Sequence, residues 1–392
     1  MIMNRRLVYF IRTNMPENQW LHDQISKLKL RQLRKKLIPD SYIKKAETDA
    51  SLIPYIVCEF EQKRPRQTTE LKKIYENYLQ KAEIRYSAEE FYENQIQMLF
   101  NCLAYGFSPD EYEYYRLKER TPEDKKTYVT DLMRYELQYI MSDFKDLLYL
   151  FDKFVTYEKF CKYFKRDVIC VENNSDFEQF VEFAKTHNDL VIKQVNSSCG
   201  KGVWIEKSEK EHLQQQFDSI LRRGKCVIEE RITQPDILKK FNETSINTVR
   251  ITTFNTKNGI VIGPSFLRTG RNGSVVDNGG SGGIFIGIDR KTGILNSNGW
   301  DEYLHQYIEH PDSGIKFLGF QLPEWNKCVS LAKELAAQIP KVGYVGWDLV
   351  YSSNGWILVE GNAAGQFLSQ IVYECGCKSE IDQYIADRNI SF

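Results

Sequence analysis

The sequence predicts an α+β protein, with a mainly helical region over residues 1–150 and two sheet-bearing lobes, 151–232 and 233–392. Three observations predict it. Amphipathic helical spacing behind hydroxyl N-caps fills the first part, short apolar strands alternate with capped helices in the middle, and longer β-branched runs bounded by Gly and Asn turns dominate the rest. At 392 residues the chain is long enough for two or three domains with sizeable cores.

Taken in order, "QTTELKKIYENYLQKAE" and "SAEEFYENQIQMLFNCLAYG" carry aromatics at helical spacing, and the second ends in Gly106. "SPDEYEYYRL" and "TPEDKKTYVTDLMRYELQYIM" each start with a hydroxyl N-cap and a proline at the first helical position. The Tyr and Phe stripes read as packing rather than a ligand cage. Beyond 150, Ser175 with Glu178 and Ser208 with Glu211 have the spacing of capping boxes. Between and after them lie the strands "LVIKQV", "VWIEK" and "KCVIEERI". From about 245 come "INTVRITTF", "IVIGPSFLRTG" and "GGIFIGID", then the helix "PEWNKCVSLAKELAAQ" and the hairpin "GYVGWDLVYSSNGWILVEGNAAG". The elements do not follow a strict βαβ order, which favours α+β lobes over one doubly wound sheet.

Composition narrows the function classes. The net charge is zero, so the chain has no global nucleic-acid footprint. Residues 1–50 are uneven, with 11 Lys/Arg against 5 Asp/Glu. The basic run "KLKLRQLRKKLIPDSYIKK" suits either a solvated helix face or contact with an anionic membrane surface or phosphorylated substrate. Nine cysteines without a C-x-x-C pair exclude a zinc-ribbon pattern and a disulfide framework, and point to a reducing, cytoplasmic compartment. "RRLVYFI" is too short for a signal peptide, and no 18-residue apolar stretch occurs. Neither H-E-x-x-H nor G-x-S-x-G is present, so covalent hydrolase chemistry is not expected.

The residues that could carry chemistry are charged groups set in apolar strands. In the last hairpin, Asp348, Glu360 and Asn362 are oxygen donors without His or Cys, a set that suits Mg²⁺ rather than zinc. A strict Asn354-Gly355 turn would pair Leu349 with Glu360. A three-residue loop with a bulge would instead set Asp348 opposite Glu360. In that register two carboxylates ~5 Å apart repel by about 3 kcal/mol at an effective dielectric of 20, so a positive group is expected between them. Lys193 lies inside "LVIKQV", three residues before the glycine-bearing turn 196–202. An anion at that turn would meet Lys193 and the turn amides. The turn is not a Walker A loop, since Val195 stands where the first Gly should be and Gly202 follows Lys201. Glu229 and Glu230 end another apolar strand, where hydrogen bonds to an amine and hydroxyls would suit adenosine, and ordinary solvent exposure accounts for them equally well. Arg250, Arg268 and Arg271 would together suit carboxylate or phosphate recognition, and the bland alternative is three local ion pairs. The glycine run 279–283 reads either as an anion nest or as a flexible loop.

In this order the motifs resemble the ATP-grasp superfamily, and within it the sugar-transfer-associated ATP-grasp group. The resemblance is carried by "NTVRITTF", "LRTGRNGSVVDNGGSGGIFIGID", "HPDSG", "LPEW" and "VGWDLVYSSNGWILVEGN". It covers roughly 150–370, with "YGFSPDEYEYYRL" and "FDKF" extending it upstream. The resemblance implies two α+β lobes gripping ATP. Asp348, Glu360 and Asn362 would hold one or two Mg²⁺, which favours the bulged register. Lys153 and Lys193 would contact the phosphates, and Ser197, Ser198, Gly200, Lys201 and Gly202 would close over them. Glu229 and Glu230 would lie at adenine and ribose, with Gln234 or Asp236 as further ribose contacts. Arg250, with Arg268 or Arg271, would steady the transferring phosphoryl group. The implied reaction is amide formation from a carboxylate and an amine through an acyl phosphate, acting on an acidic sugar and an amino acid or amino alcohol in capsule, O-antigen or exopolysaccharide assembly. The alternatives are phosphotransfer to a sugar or alcohol hydroxyl, and a non-catalytic nucleotide-binding partner of a glycosyltransferase at the inner membrane surface. One departure stands out. The superfamily commonly places a Rossmann-like domain ahead of the grasp, whereas residues 1–150 read as helical.

Overall fold

The computed structural model describes residues 18–195 and 202–388. Ser197, Ser198, Gly200 and Lys201 lie outside those residues. The N-terminal region is helical, as its patterning requires, through Gln19–Arg34, Asp40–Thr48, Ile53–Lys63, Pro65–Lys81, Ala88–Tyr105, Pro109–Tyr114, Pro122–Lys125 and Asp131–Ile140. The Ala88–Tyr105 helix starts on a reciprocal cap: Ser87 N donates to Glu90 at 2.9 Å and Glu90 N to Ser87 Oγ at 3.2 Å. It ends at Gly106, whose φ of +82° is the left-handed stop. Buried Glu111 ties two helix starts together, accepting from Ser108 N at 2.9 Å and Asp131 N at 3.0 Å.

Three local expectations are corrected. Residues 121–141 form two helices, because Thr130 caps a second start by accepting from Met133 N at 3.3 Å. The Ser175 cap is replaced by Asn173, which accepts from Ser175 N at 2.9 Å, so the helix begins at Phe177. Ser208 caps nothing: its hydroxyl donates to the Ala184 carbonyl at 2.6 Å, and the next helix, Leu213–Leu221, starts at His212 without a side-chain cap. At Ser175 a neighbouring polar group takes the short-range bond, and at Ser208 the hydroxyl is taken up by a carbonyl 24 residues away.

The first sheet has four antiparallel strands, β1 (Val168–Val171), β2 (Asp189–Gln194), β3 (Val203–Lys207) and β4 (Cys226–Glu230), in the order β1-β4-β2-β3. Strand β1 is an element that the sequence reading missed. Helices Phe177–Thr186 and Leu213–Leu221 cover one face with Phe180, Phe183, Phe217 and Ile220, packed on Leu190, Ile192 and Ile228. Side chains alternate along a strand, so Val191, Lys193 and Glu229 face the other way.

The second sheet has seven strands: β5 (Thr248–Thr256), β6 (Gly259–Thr269), β7 (Ile284–Ile288), β8 (Leu295–Trp300), β9 (Gln306–Tyr307), β10 (Tyr344–Ser352) and β11 (Gly355–Asn362). Their order is β11-β10-β5-β6-β7-β8-β9. Helix Trp325–Ala337 shares a core with Val249, Ile251, Leu267, Trp347 and Leu349. The same alternation turns Arg250, Arg268 and Asp348 to the opposite face. Part of that face is covered by the helical region, where Tyr78, Tyr114 and Tyr115 share a core with Phe266, Phe285 and Leu368. The polar faces of both sheets and the helical region enclose one cleft of about 1310 Å³.

Candidate active site

The hairpin sets the site's geometry. Its turn falls at Ser353-Asn354, one residue earlier than the Asn354-Gly355 expectation, and Gly355 takes a φ of +77°. Ser352 faces Gly355 and Leu349 faces Leu358, but Asp348 faces Glu360, so Val359 is the extra residue of a β-bulge. The opposed carboxylates therefore occur, by a route different from the expected longer loop.

The positive charge beside Asp348 comes from two arginines. Arg250 donates from Nε to Asp348 Oδ1 and from Nη2 to Oδ2 at 2.9 Å. Arg268 Nη2 lies 3.0 Å from Oδ2. Asn362 Nδ2 bridges weakly to Asp348 at 3.4 Å and Glu360 at 3.3 Å. These contacts split the carboxyl pair. Burial penalises the Asp348 charge, yet Arg250 and Arg268 outweigh it and hold the carboxyl well below the usual range. Burial, and then Asp348 itself, push Glu360 up, and Lys153 offsets only part of that rise. Glu360 is thus the carboxylate that the protein's own cations leave incompletely compensated. An all-oxygen set with this deficit fits a hard divalent cation at Glu360 and Asn362, with Asp348 oriented alongside by its two guanidinium partners.

The small-sheet residues form a second centre on the facing wall. Glu229 is buried between two cations: Arg166 reaches Oε2 with Nε at 2.9 Å and Nη2 at 2.6 Å, and Lys193 Nζ lies 2.8 Å from Oε1. Burial opposes the charge, but the two cations hold the carboxyl down at about 2. Burial pushes Lys193 below the ordinary lysine value, more than Glu229 restores. Arg166 also donates to the Leu358 carbonyl of β11 at 2.7 Å, so it links the two sheets.

Most of the other expected residues meet here. Lys153, Lys193, Glu229, Glu230, Arg250, Arg268, Asp348, Glu360 and Asn362 all line the cleft. Lys153 opens the helix Lys153–Phe164, capped by Asp152, which accepts from Phe154 N at 2.9 Å. Glu230, at the end of β4, accepts from Asp167 N just before β1 at 3.2 Å. Gly202 ends the turn with φ +72°, and its carbonyl accepts from Gln194 N at 2.9 Å. Gln234 borders the cleft, but its amide is engaged with Asn247 at 2.7 and 3.1 Å.

Two residues depart from the expectation. Arg271 does not converge with the other arginines: Nη2 pairs with buried Asp301 at 2.8 Å and Nε donates to the Gly282 carbonyl at 2.7 Å, away from the cleft. Asp236 opens the short helix Asp236–Lys239 and is not among the cleft-lining residues. Sequence reasoning missed Arg166, and it missed Asp277, which accepts from Thr248 N at 3.1 Å and lies 3.6 Å from Arg268. Asp277 sits one residue before the quoted Asn278-Gly279-Gly280 run, the one signal that could have found it.

The family profile for sugar-transfer associated ATP-grasp proteins matches residues 134–385. No curated protein matches. Among solved structures, D-alanyl-alanine synthetase A from Vibrio cholerae O1 biovar eltor str. N16961 is similar at 8% identity and a TM-score of 0.41, over 63% of this chain and 67% of that one. N5-carboxyaminoimidazole synthetase from Staphylococcus aureus, complexed with ADP, is similar at 13% and 0.41, over 65% and 59%. D-alanine–D-alanine ligase from Bacillus anthracis, complexed with ATP, is similar at 15% and 0.40, over 63% and 68%. The chain thus spans about three fifths to two thirds of the length of these structures. The profile match covers well over half of the chain, and the protein belongs to the sugar-transfer associated ATP-grasp family, with that family's α+β fold.

Proposed function

We propose that the protein is an ATP-dependent carboxylate–amine ligase that forms an amide through an acyl phosphate. The observation that carries this reading is the opposed pair Asp348 and Glu360, with Asn362 beside both, set in a cleft with Lys153, Lys193, Arg250 and Arg268. Glu360 and Asn362, with Asp348 beside them, would hold magnesium, which when bound supplies charge neutralisation for the transferring phosphoryl.

The chain's own residues supply the rest. Lys153 and Lys193 present ammonium groups for the phosphates, and Glu229, itself fixed by Arg166, positions Lys193. Glu230, at the cleft edge, is placed for the ribose or adenine. Arg250 and Arg268 carry charge to the point where the acid and the phosphoryl group meet, while they fix Asp348. No protein nucleophile is needed: catalysis is positioning plus electrostatics. For the substrates we favour an acidic sugar and an amino acid or amino alcohol in surface-polysaccharide assembly, on the strength of the family description and the basic segment at 27–45. Among the described residues no helix is long and apolar enough to cross a membrane.

A hydroxamate assay tests the reading. Protein, Mg-ATP and hydroxylamine are incubated with a panel of uronic acids, nucleotide-linked uronic acids and amino acids. The expected result is a coloured hydroxamate with one acid, together with ADP and free phosphate. ADP release without free phosphate, dependent on a sugar alone, would replace the ligase with a kinase.

A further inference from the structure

Beyond the nucleotide centre, the cleft continues towards the helical region, where a second acidic group stands without a partner. Glu302 lines the cleft just past β8, and no hydrogen bond or ion pair among the described residues holds its carboxyl. Its backbone is fixed, since Tyr78 Oη donates to the Glu302 carbonyl at 2.8 Å. Asp110, from the helix Pro109–Tyr114, lines the same end and is engaged by the Ser108 hydroxyl. Asp301, adjacent in sequence, is already engaged by Arg271 Nη2 at 2.8 Å and by His305 Nδ1 at 3.0 Å. The glycine run supports the arrangement. A Cβ on Gly279 would collide with one Glu302 carboxyl oxygen, and a Cβ on Gly280 would lie 4.0 Å from the other. At this point the run makes room for the Glu302 carboxylate.

Burial, then the charges of Asp110 and Asp301, push Glu302 up to about 7, while Lys81 and Arg268 oppose the rise. Lys81 is exposed, and Arg268 is held by Asp348 and Asp277. An enclosed carboxylate pair with no committed cation is complementary to a bound one.

Resting on the ligase reading, we infer that Glu302 and Asp110 form the seat for the primary ammonium group of the amine substrate. Glu302 receives one proton from the ammonium and frees the nitrogen lone pair. The nitrogen attacks the acyl carbon, the new C–N bond forms, and the C–O bond to phosphate breaks with its electrons leaving on phosphate. The nitrogen's second proton goes to that phosphate, and Glu302 returns its own to solvent. The helical region thereby supplies part of the acceptor subsite through Asp110.

Two measurements test this. Ethanolamine, glycine and alanine are titrated calorimetrically into protein saturated with magnesium and a non-hydrolysable ATP analogue. The expected result is binding of at least one of these primary amines, weakened at least tenfold by Glu302→Gln and several-fold by Asp110→Asn. No binding by any of them, or equal affinity in Glu302→Gln, would overturn the subsite. In the second measurement, the amine that binds competes with hydroxylamine for the acyl phosphate. Glu302→Gln should shift the partition at least tenfold towards hydroxamate, because hydroxylamine is largely uncharged at neutral pH. Equal loss of both products would assign Glu302 to the earlier step or to folding. Absence of hydroxamate in the unaltered protein would count against the ligase reading itself, separately from the calorimetric result.

Discussion

The cleft has two buried acidic centres on facing sheets, and they are wired oppositely. On the small sheet one carboxylate, Glu229, has two cations and is held down at about 2. On the large sheet two carboxylates share the field of Arg250 and Arg268, and the second of them, Glu360, is pushed up. The first centre is paired: its carboxylate is shared by Arg166, which joins the sheets, and by Lys193, so one positive charge is left over beside the cleft. The second is left short of positive charge. The difference separates a group that holds the walls together from a group set to receive something between them.

Replacing Glu360 should break the comparison most visibly. Glu360→Gln is expected to cut ADP release by about 10³-fold or more while the melting temperature holds or rises, because a buried like charge is removed. Full turnover in this variant would sink the metal assignment. Glu229→Gln should act on stability as well as on turnover, since Glu229 also positions Lys193. It leaves Arg166 and Lys193 buried with no carboxylate, at a cost of about 3–5 kcal/mol read by urea denaturation. An unchanged midpoint would mean that the small-sheet centre is not structural.

Titration sharpens the contrast. The Glu229 carboxyl lies below its ordinary 4.5 in the folded state, so its contribution is complete above about 4.5 and is lost as pH falls towards 2. Glu302 has the opposite sign. Raised from 4.5 to about 7, it keeps a proton that the unfolded chain has released, so stability declines as pH rises across that interval. Urea midpoints against pH should therefore lose their acid-side slope in Glu229→Gln and their neutral-side decline in Glu302→Gln. The smallest effect is expected at the turn. Gly355→Ala places a Cβ at φ +77° with no neighbour within 4 Å, a purely conformational cost of about 1 kcal/mol with the cleft unaffected.

Much of the large-sheet centre was legible because its residues are charges inside apolar strands, where period-2 alternation tells which face they take. Arg250, Asp348 and Glu360 show themselves in this way. Arg166 does not: it pairs with Glu229 across 63 residues, and nothing local marks an arginine before a short strand as buried. Arg271 failed for the complementary reason. Its spacing from Arg268 suggested convergence, but their partners, Asp301 and Asp348, lie in separate places. The capping error at Ser175 is a short-range contest with Asn173, and the one at Ser208 a long-range bond to the Ala184 carbonyl, neither of which spacing alone decides. Glu302 was invisible because an unpaired carboxylate has no pattern. Only the enclosure around it gives it meaning.

The bulge at Val359 bears on how such a hairpin tolerates changes in length over descent. Val359 is a supernumerary position: Leu349 already faces Leu358, so deleting Val359 would seat Glu360 opposite Asp348 in an uninterrupted ladder. A residue inserted or lost at that point alters the bend of the strand without divorcing the carboxylates. Relatives of unequal hairpin length can thus be homologous at Asp348 and Glu360 even where a gapless alignment sets those two residues out of phase.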